Sequence, residues 1–317
     1  MKIADFTTKH IEQAAQIALQ NYESERKFVP NLPDISTVPD LREFVENGLG
    51  TAAFDGNRML GFLCCYPPFK NAFNGSTNSV GIFSPMGASG AVSENRAKVY
   101  ARLYQAAAEK WVRAGAEIHA ICLYAHDKEV QEQFFRYGFG LRCIDAIRGM
   151  DEISATHCEG YTFYESAPDE LPEIHRLINE LTKSYMDSPF FMYRELESEA
   201  DFLRLTEKYN TLFFVAKHRS KIIAFISAEQ GGETFIQNTP GYLHTSGAYC
   251  LPQHRGRGIP QNLLALSVQR LKQQGYSYLG VDFESINPSG SGFWLKYYTA
   301  YTHSVVRRID ENAILKR

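Results

Sequence analysis

The sequence predicts an α/β chain built from two copies of one pattern. Three observations carry that reading. Short apolar runs, several broken by hairpin turns, interleave with longer runs of helical period. The order of these runs is the same in both halves of the 317 residues. In the second half alone, a turn rich in glycine and arginine joins a strand-like run to a helical one.

In the first half, Ile11 to Glu25 and Asp40 to Asn47 read as helices. Phe54 to Leu63 reads as strand, turn and strand about Asp55-Gly56-Asn57. A strand (Ser79 to Ser84) and a long helix (Arg96 to Ala114) follow, the helix stopped by Gly115. Another strand (Glu117 to Leu123), a short aromatic helix (Lys128 to Tyr137) and a last strand (Leu141 to Ile147) complete the half. The second half repeats the series: helices at Leu171 to Tyr185 and Ser198 to Lys208, then a hairpin within Val215 to Ile226. A strand (Tyr242 to Leu251), a helix (Gln261 to Gln274, stopped by Gly275), a strand (Ser277 to Phe283), a short helix (Ser289 to Tyr298) and a strand (His303 to Ile309) follow. The reading is two domains, 1–150 and 160–317, joined near residues 150 to 159. Met1 to Phe6 is read as running straight into the first helix-like segment.

Composition limits the function. With 44% hydrophobic and 22% charged residues and a net charge of −3, the chain is an ordinary globular one without a broad polyanion-binding surface. No apolar run approaches the ~18 residues of a membrane span, and no signal-peptide core opens the chain. The six cysteines form no Cys-x-x-Cys pair and sit mostly in apolar segments, which points to free thiols and a reduced, cytoplasmic setting. Membrane and nucleic-acid partners are not expected, and nothing in the sequence speaks to oligomeric state.

The distinctive turn is Leu251-Pro252-Gln253-His254-Arg255-Gly256-Arg257-Gly258-Ile259. Glycines at 256 and 258 permit a tight bend and close approach of a ligand. The turn feeds a helix N-terminus, whose unpaired N–H groups and dipole favour an anion, above all a phosphate. Arg255 and Arg257 add positive charge. This is a cradle for a pyrophosphate.

Gln253-x-x-Gly256-x-Gly258 resembles the Gln/Arg-x-x-Gly-x-Gly/Ala motif of the GCN5-related N-acetyltransferases (GNAT), which hold the pyrophosphate of acetyl-CoA on that loop. The longer phrase Pro252 to Ile259 fits as well. Pro260 departs from the family's small residue there; it suits the first turn of a helix but brings no N–H. The resemblance implies the order β-α-α-β-β-β-α-β-α-β, with a mixed, mostly antiparallel sheet flanked by helices in each of two tandem domains. It implies acetyl-CoA as co-substrate and direct transfer of an acetyl group to a primary amine of a small molecule or peptide. The cofactor residues it implies are Cys250, Leu251, Gln253, His254, Arg255, Gly256, Arg257, Gly258, Ile259 and Asn287. A backbone N–H at Cys250 or Leu251 would serve the developing oxyanion. Asn287 would cap the next helix, contact the pantetheine arm, or do both.

Many members carry an acidic tyrosine seven residues after that asparagine, where this chain has Trp294. Tyr297 and Tyr298 remain as candidates, with Tyr298 carried forward, although their helical phase is read as most of a turn from Trp294. For the base, the candidates are Glu284, Asp282, His244 and Tyr249. Strand alternation puts Asp282 and Glu284 on one face, and His244 and Tyr249 on opposite faces. Glu284, at the end of its strand, is favoured.

In the first half, Pro85 to Arg96 lacks the motif, is longer, and carries Glu94. Cofactor binding is therefore expected of the second domain only. Tyr185 to Glu195 is expected either to wall the acceptor pocket or to dock on the first domain. Gly231 to Gly241 is expected to form a flexible lid or hairpin, matched by Pro67 to Gly75 in the first half. Two other readings stand beside the enzyme: an acyl-CoA-binding or interaction module without chemistry, and nucleic-acid binding through Arg255 to Gly258, which lacks the usual basic footprint.

Overall fold

The computed structural model describes residues 1–72 and 79–315; Phe73, Asn74 and Gly75 of the 67–75 segment lie outside them. It is a mixed α/β structure of two units, Met1–Ile144 with Ala300–Arg317, and Asp145–Thr299.

In the first unit, β1 (Lys2–Asp5) lies antiparallel to β2 (Thr51–Asp55), after α1 (Ile11–Arg26) has crossed back. Gly56 takes φ +56° and closes the hairpin from β2 to β3 (Arg58–Leu63). After β4 (Phe69–Lys70) comes a broken strand. Its first part, β5 (Val80–Ser84), runs parallel to β7 (Ile118–Tyr124). Its second part, β6 (Ser89–Ala91), runs antiparallel to β3. The unit thus has one sheet in the order β1-β2-β3-β6 and another row in the order β4-β5-β7-β14. The helices α2 (Arg96–Arg113) and α3 (Lys128–Arg136) frame a core around Tyr104, Trp111, Phe134 and Phe139.

The expected helix at Asp40 to Asn47 is only a 3-10 turn, Leu41–Phe44. Its i and i+3 residues, Leu41 and Phe44, are both buried, and Asn47 then ties the chain off by donating to the Cys65 carbonyl. The strands at Lys2–Asp5 and Ser89–Ala91 had no sequence signal long enough to read.

The second unit begins inside β8 (Gly140–Gly149) and has the strand order β8-β13-β12-β11-β10-β9. The strands β9 (Tyr161–Glu165), β10 (Leu212–His218), β11 (Lys221–Glu229) and β12 (Tyr242–Cys250) are antiparallel neighbours. One face packs on α4 (Leu171–Ser184) and α5 (Glu199–Lys208) through Ile174, Leu177, Phe202, Phe213, Val215 and Phe225. The alternate residues Phe214, Ala224 and Ile226 are equally buried, and α6 (Ile259–Gln273) crosses β9 to β12. Then β13 (Tyr278–Glu284) runs parallel to β12, and α7 (Pro288–Tyr297) ends the unit.

The expected boundary at 150–160 does not describe these units. The final strand β14 (Thr299–Arg308) pairs antiparallel with β7, from Thr302↔Tyr124 to Arg308↔Ile118, and Val305 is fully buried in the first unit's core. The last residues of β8 in turn belong to the second unit, beside β13. Each unit is completed by a strand from the other half of the sequence. Deleting residues 299–317 should therefore strip amide-exchange protection from β7 while the strands β10 and β11 stay protected. Exchange mass spectrometry on the shortened chain reads this directly.

Candidate functional site

The site grows from a fork in the second sheet. Pairing of β12 with β13 runs from Tyr242↔Tyr278 to Thr245↔Val281 and then ends, while β12 continues along β11 to Cys250. Leu251 donates its N–H to the Ile223 carbonyl at 3.0 Å, so that amide is spent. In an antiparallel ladder the neighbouring residue points its N–H and C=O the other way. The amide of Cys250 therefore faces the opening of the fork, where the Arg255 Nε also donates to the Cys250 carbonyl at 2.9 Å. Of the two positions expected for an oxyanion donor, Cys250 has the right direction.

A register slip sits beside the fork. Ser227 pairs with Gly247 and Glu229 with His244, so β12 holds one extra residue. The slip reverses alternation, and His244 and Tyr249 share a face rather than opposing one another. Tyr249 packs with the α4 cluster. Thr245 points the other way and meets the Tyr298 hydroxyl at 3.3 Å.

Below the fork the chain turns through Pro252–His254, where His254 and Arg255 donate their N–H groups to Leu251 and Pro252. Gln253 belongs to this turn. Gly256 (φ +73°) and Gly258 (φ +77°) are both left-handed, and Gly258 is the N-cap of α6. Among the described residues, the N–H groups of Gly256, Arg257, Gly258 and Ile259 make no backbone hydrogen bond. Nothing lies within 4 Å of where a side chain on Gly256 would begin. An open concavity with bare N–H groups at a helix start is what a phosphate requires. Pro260 falls in the first turn, as expected. Arg255 lies 5.5 Å over the Tyr249 ring, and Tyr161 hydrogen-bonds His254 Nδ1 at 2.9 Å.

The connecting segment buttresses this cradle, which the sequence did not suggest. Thr156 donates its N–H to Asn262 Oδ1 (2.7 Å), and Asn262 Nδ2 donates back to the Thr156 carbonyl (2.8 Å). Gln261 donates to the Ser154 carbonyl, and the Cys158 thiol to that of Arg257. A Cβ on Gly258 would collide with Thr156. Asn287 is the N-cap of α7, accepting from the Gly290 N–H at 2.9 Å.

On the α4 face, His244 (6% exposed) links Tyr242 to Asp282. Its Nδ1 lies 3.1 Å from the Tyr242 hydroxyl and its Nε2 2.7 Å from Asp282 Oδ1. Burial alone would lower the imidazole pKa. The hydrogen bond and charge of Asp282, with Asp145 and Glu233 beyond, raise it above its ordinary value. Asp282 is the open end, with a third of its side chain exposed. Glu284, the favoured base, is held by Arg194 at 3.0 Å, and that guanidinium lies 4.0 Å over the Tyr185 ring. The 185–195 segment thus walls this face. The 231–241 insertion is a packed loop with a 3-10 turn at Phe235–Asn238 and Ile236 fully buried, and it closes over His244 at Gly232.

Tyr298 sits at the end of α7, 4% exposed, its phenol held in the protonated form by burial. The expected difference in phase is corrected. A step of four residues is about 40° around a helix, and Tyr298 packs edge-on to Trp294 at 5.5 Å.

The first unit has the same framework with a different filling. Asn95 caps α2 at φ +52°, where α6 has Gly258. Arg96 crosses from there to Asp127, the cap of α3, at 2.6 Å, and also donates to the Ala91 carbonyl and to Asn21.

A sheet that forks beside a bare helix start, with an acid–base couple on its other face, defines a fold able to support acyl transfer. Residues 175–296 match the acetyltransferase (GNAT) family model. The chain is also similar to the crystal structure of a GCN5-related N-acetyltransferase from Sphaerobacter thermophilus. The TM-score is 0.58 at 11% identity, over 97% of this chain and 95% of that one. A glucosamine N-acetyltransferase region within a fungal multi-domain GH3 β-N-acetylglucosaminidase gives 0.53 at 13% identity, over 96% of this chain and 38% of that one. At such identities the likeness is one of fold. No curated protein sequence matches. Among the described residues no helix is long and apolar enough to cross a membrane.

Gly280 has no room for a side chain, because a Cβ there would overlap the Tyr242 hydroxyl. Gly280→Ala should push Tyr242 off His244 and cost about 1–3 kcal/mol by overpacking. Denaturant unfolding measures the loss, and a midpoint equal to wild type would contradict the packing described.

Proposed function

We propose that the second unit is an N-acyltransferase that uses acetyl-CoA and a primary amine. The observation that carries this reading is the fork, with a phosphate cradle on one side and a proton-accepting couple on the other. When bound, acetyl-CoA supplies an activated thioester. Gly256 to Ile259 hold its diphosphate through backbone N–H groups, with the charge of Arg257 beside them. His254, Gln253 and Arg255 shape the turn, and Asn287 borders the pantetheine path from its cap position.

The Cys250 N–H stabilises the oxygen on which charge develops. The Cys250 thiol itself is pushed up to about 11 by burial, so it stays protonated and is no nucleophile. That favours direct attack by the amine over an acyl-enzyme. Asp282 and His244 act together as the base, with Asp282 facing the amine and His244 storing the proton behind it. Glu284, paired with Arg194, orients that wall. Tyr298, kept protonated by burial, supplies a proton on the opposite face beside Thr245. The first unit has a structural role in this reading. Arg96 and Asp127 span its equivalent gap, and a capping carboxylate opposes a phosphate.

Two experiments test the reading. Gly256→Asp places a carboxylate in the cradle and a side chain at a left-handed φ. Calorimetric heat on titration with acetyl-CoA should vanish while circular dichroism stays native; unchanged affinity would remove the cradle. Asp282→Asn should lower kcat by about 10²–10⁴ without changing acetyl-CoA affinity. Equal turnover in that variant would remove the couple as base.

The pH dependence follows from His244. A folded-state pKa raised above ~6.5 means the charged form persists to higher pH, and the form able to accept a proton appears only above that point. Turnover should rise with pH through a midpoint above ~6.5. In His244→Gln that limb should disappear from the rate profile.

A further inference from the structure

A cavity of about 230 Å³ lies between α4, α5 and the sheet, on the same face as His244. Its walls combine apolar side chains, Leu181, Phe202, Phe213 and Phe225 among them, with threonine, serine and tyrosine hydroxyls, and two carboxylates, Glu197 and Glu229, line it with them. It reaches Ser246 and Gly247, the residues directly after Thr245 where β12 parts from β13. We propose that this cavity receives the acceptor, and that the acceptor is a small primary ammonium with a compact apolar body and no carboxylate of its own. The inference rests on the acyltransferase reading for what happens to that amine, but not for its binding.

The argument is one of charge, size and register. Glu229 accepts from Thr211 Oγ1 at 2.7 Å, and among the described residues no side-chain cation pairs with it. No hydrogen bond or ion pair reaches the Glu197 carboxylate among the described residues. Burial raises its pKa, and the nearby charges of Asp201 and Glu229 act in the same direction against those of His175 and Arg204. Two acidic groups in one pocket that also holds aromatic rings favour a cation, by direct pairing and by the negative faces of the rings. Of the cations that act on Glu197, Arg204 is already held by Asp201 at 2.8 Å. An α-carboxylate on the acceptor would therefore meet acidic groups.

Water occupies about 30 Å³ per molecule in the liquid, so the volume admits a body of roughly eight such groups. A phenylethyl or short branched alkyl chain is of that size. Glu229 is the cross-strand partner of His244. The carboxylate that draws the ammonium in thus stands opposite the group that stores its proton.

The test is calorimetric titration of the whole protein with 2-phenylethylamine, without cofactor. Wild type should bind it, and phenylalanine, the same body with a carboxylate, should bind about tenfold or more weakly. Glu229→Gln and Glu197→Gln should each weaken the amine about tenfold, with melting temperature and acetyl-CoA affinity unchanged. Equal binding of phenylalanine, no binding of the amine by wild type, or undiminished binding in both variants would overturn the proposal. Acetyl-CoA titrated in parallel separates the cases. An intact cofactor response with no amine response sinks the acceptor assignment alone. Amine binding without a cofactor response sinks the acyltransferase reading and leaves the cavity assignment standing.

Discussion

The structure of the second unit depends on one unpaired stretch of backbone. A strand that leaves its neighbour inside a sheet strands N–H and C=O groups that must find other partners. Here β12 leaves β13 after Thr245, and the chain answers each freed group differently. The Cys250 carbonyl takes the Arg255 guanidinium, and the Leu251 N–H returns to β11. The Cys250 N–H remains directed into the gap. The extra residue in β12 comes from the same parting. It lets the strand keep its ladder with β11 while bringing His244 onto the face of Tyr249, and ordinary alternation then turns Thr245 to the other. The acid–base couple and the buried phenol thus occupy opposite sides of one peptide link.

The first unit meets the same constraint by closing it. Its corresponding strand is broken between Ser84 and Ser89 into β5 and β6, each paired to a different partner. The space between α2 and α3 is spanned by Arg96, whose partly buried charge is neutralised by Asp127 and whose other N–H groups are satisfied by Asn21 and Ala91. Displacing a guanidinium so held would break several charge-assisted hydrogen bonds at once. The second unit has Ile259 and the neutral cap Asn287 at the corresponding places, so nothing charged must be moved for its gap to admit a ligand.

Much of this was legible in the sequence where the signal is local. Helical periods, the glycine stops and the hairpin at Gly56 were readable because each is set within a few residues. The bend before α6 was readable because Gly256 and Gly258 are needed by their own backbone angles. The rest depends on distant partners. Arg194 and Glu284 are 90 positions apart, and so is no visible pair in a linear reading. The one-residue slip in β12 leaves no composition signature, yet it reverses which side chains share a face. The exchange of last strands was hidden because β14 reads as a strand wherever it pairs. The segment at 151–158 looked like a plain connection, since the residue that binds it, Asn262, lies 106 positions away from Thr156.

The acidic character of the α4 face sets two demands against each other. The charges of Asp145, Asp282 and Glu233 favour a cation on this face and, with the Asp282 hydrogen bond, raise the pKa of His244. In the proposed reaction the field of the same charges would resist deprotonation of an incoming ammonium, which must lose a proton before its lone pair can attack. A carboxylate facing that field gains by taking a proton. In the Asp282–His244 couple the proton rests on the imidazole, so the protonated state is a neutral ion pair in a buried place while the deprotonated state carries a net charge. What the field withholds from the amine it returns at the couple, so proton transfer moves charge between neighbouring sites without adding any to the interior. This requires His244 to be buried and Asp282 to be open, which is how the register slip and the ring of Tyr242, seated over Gly280, arrange them.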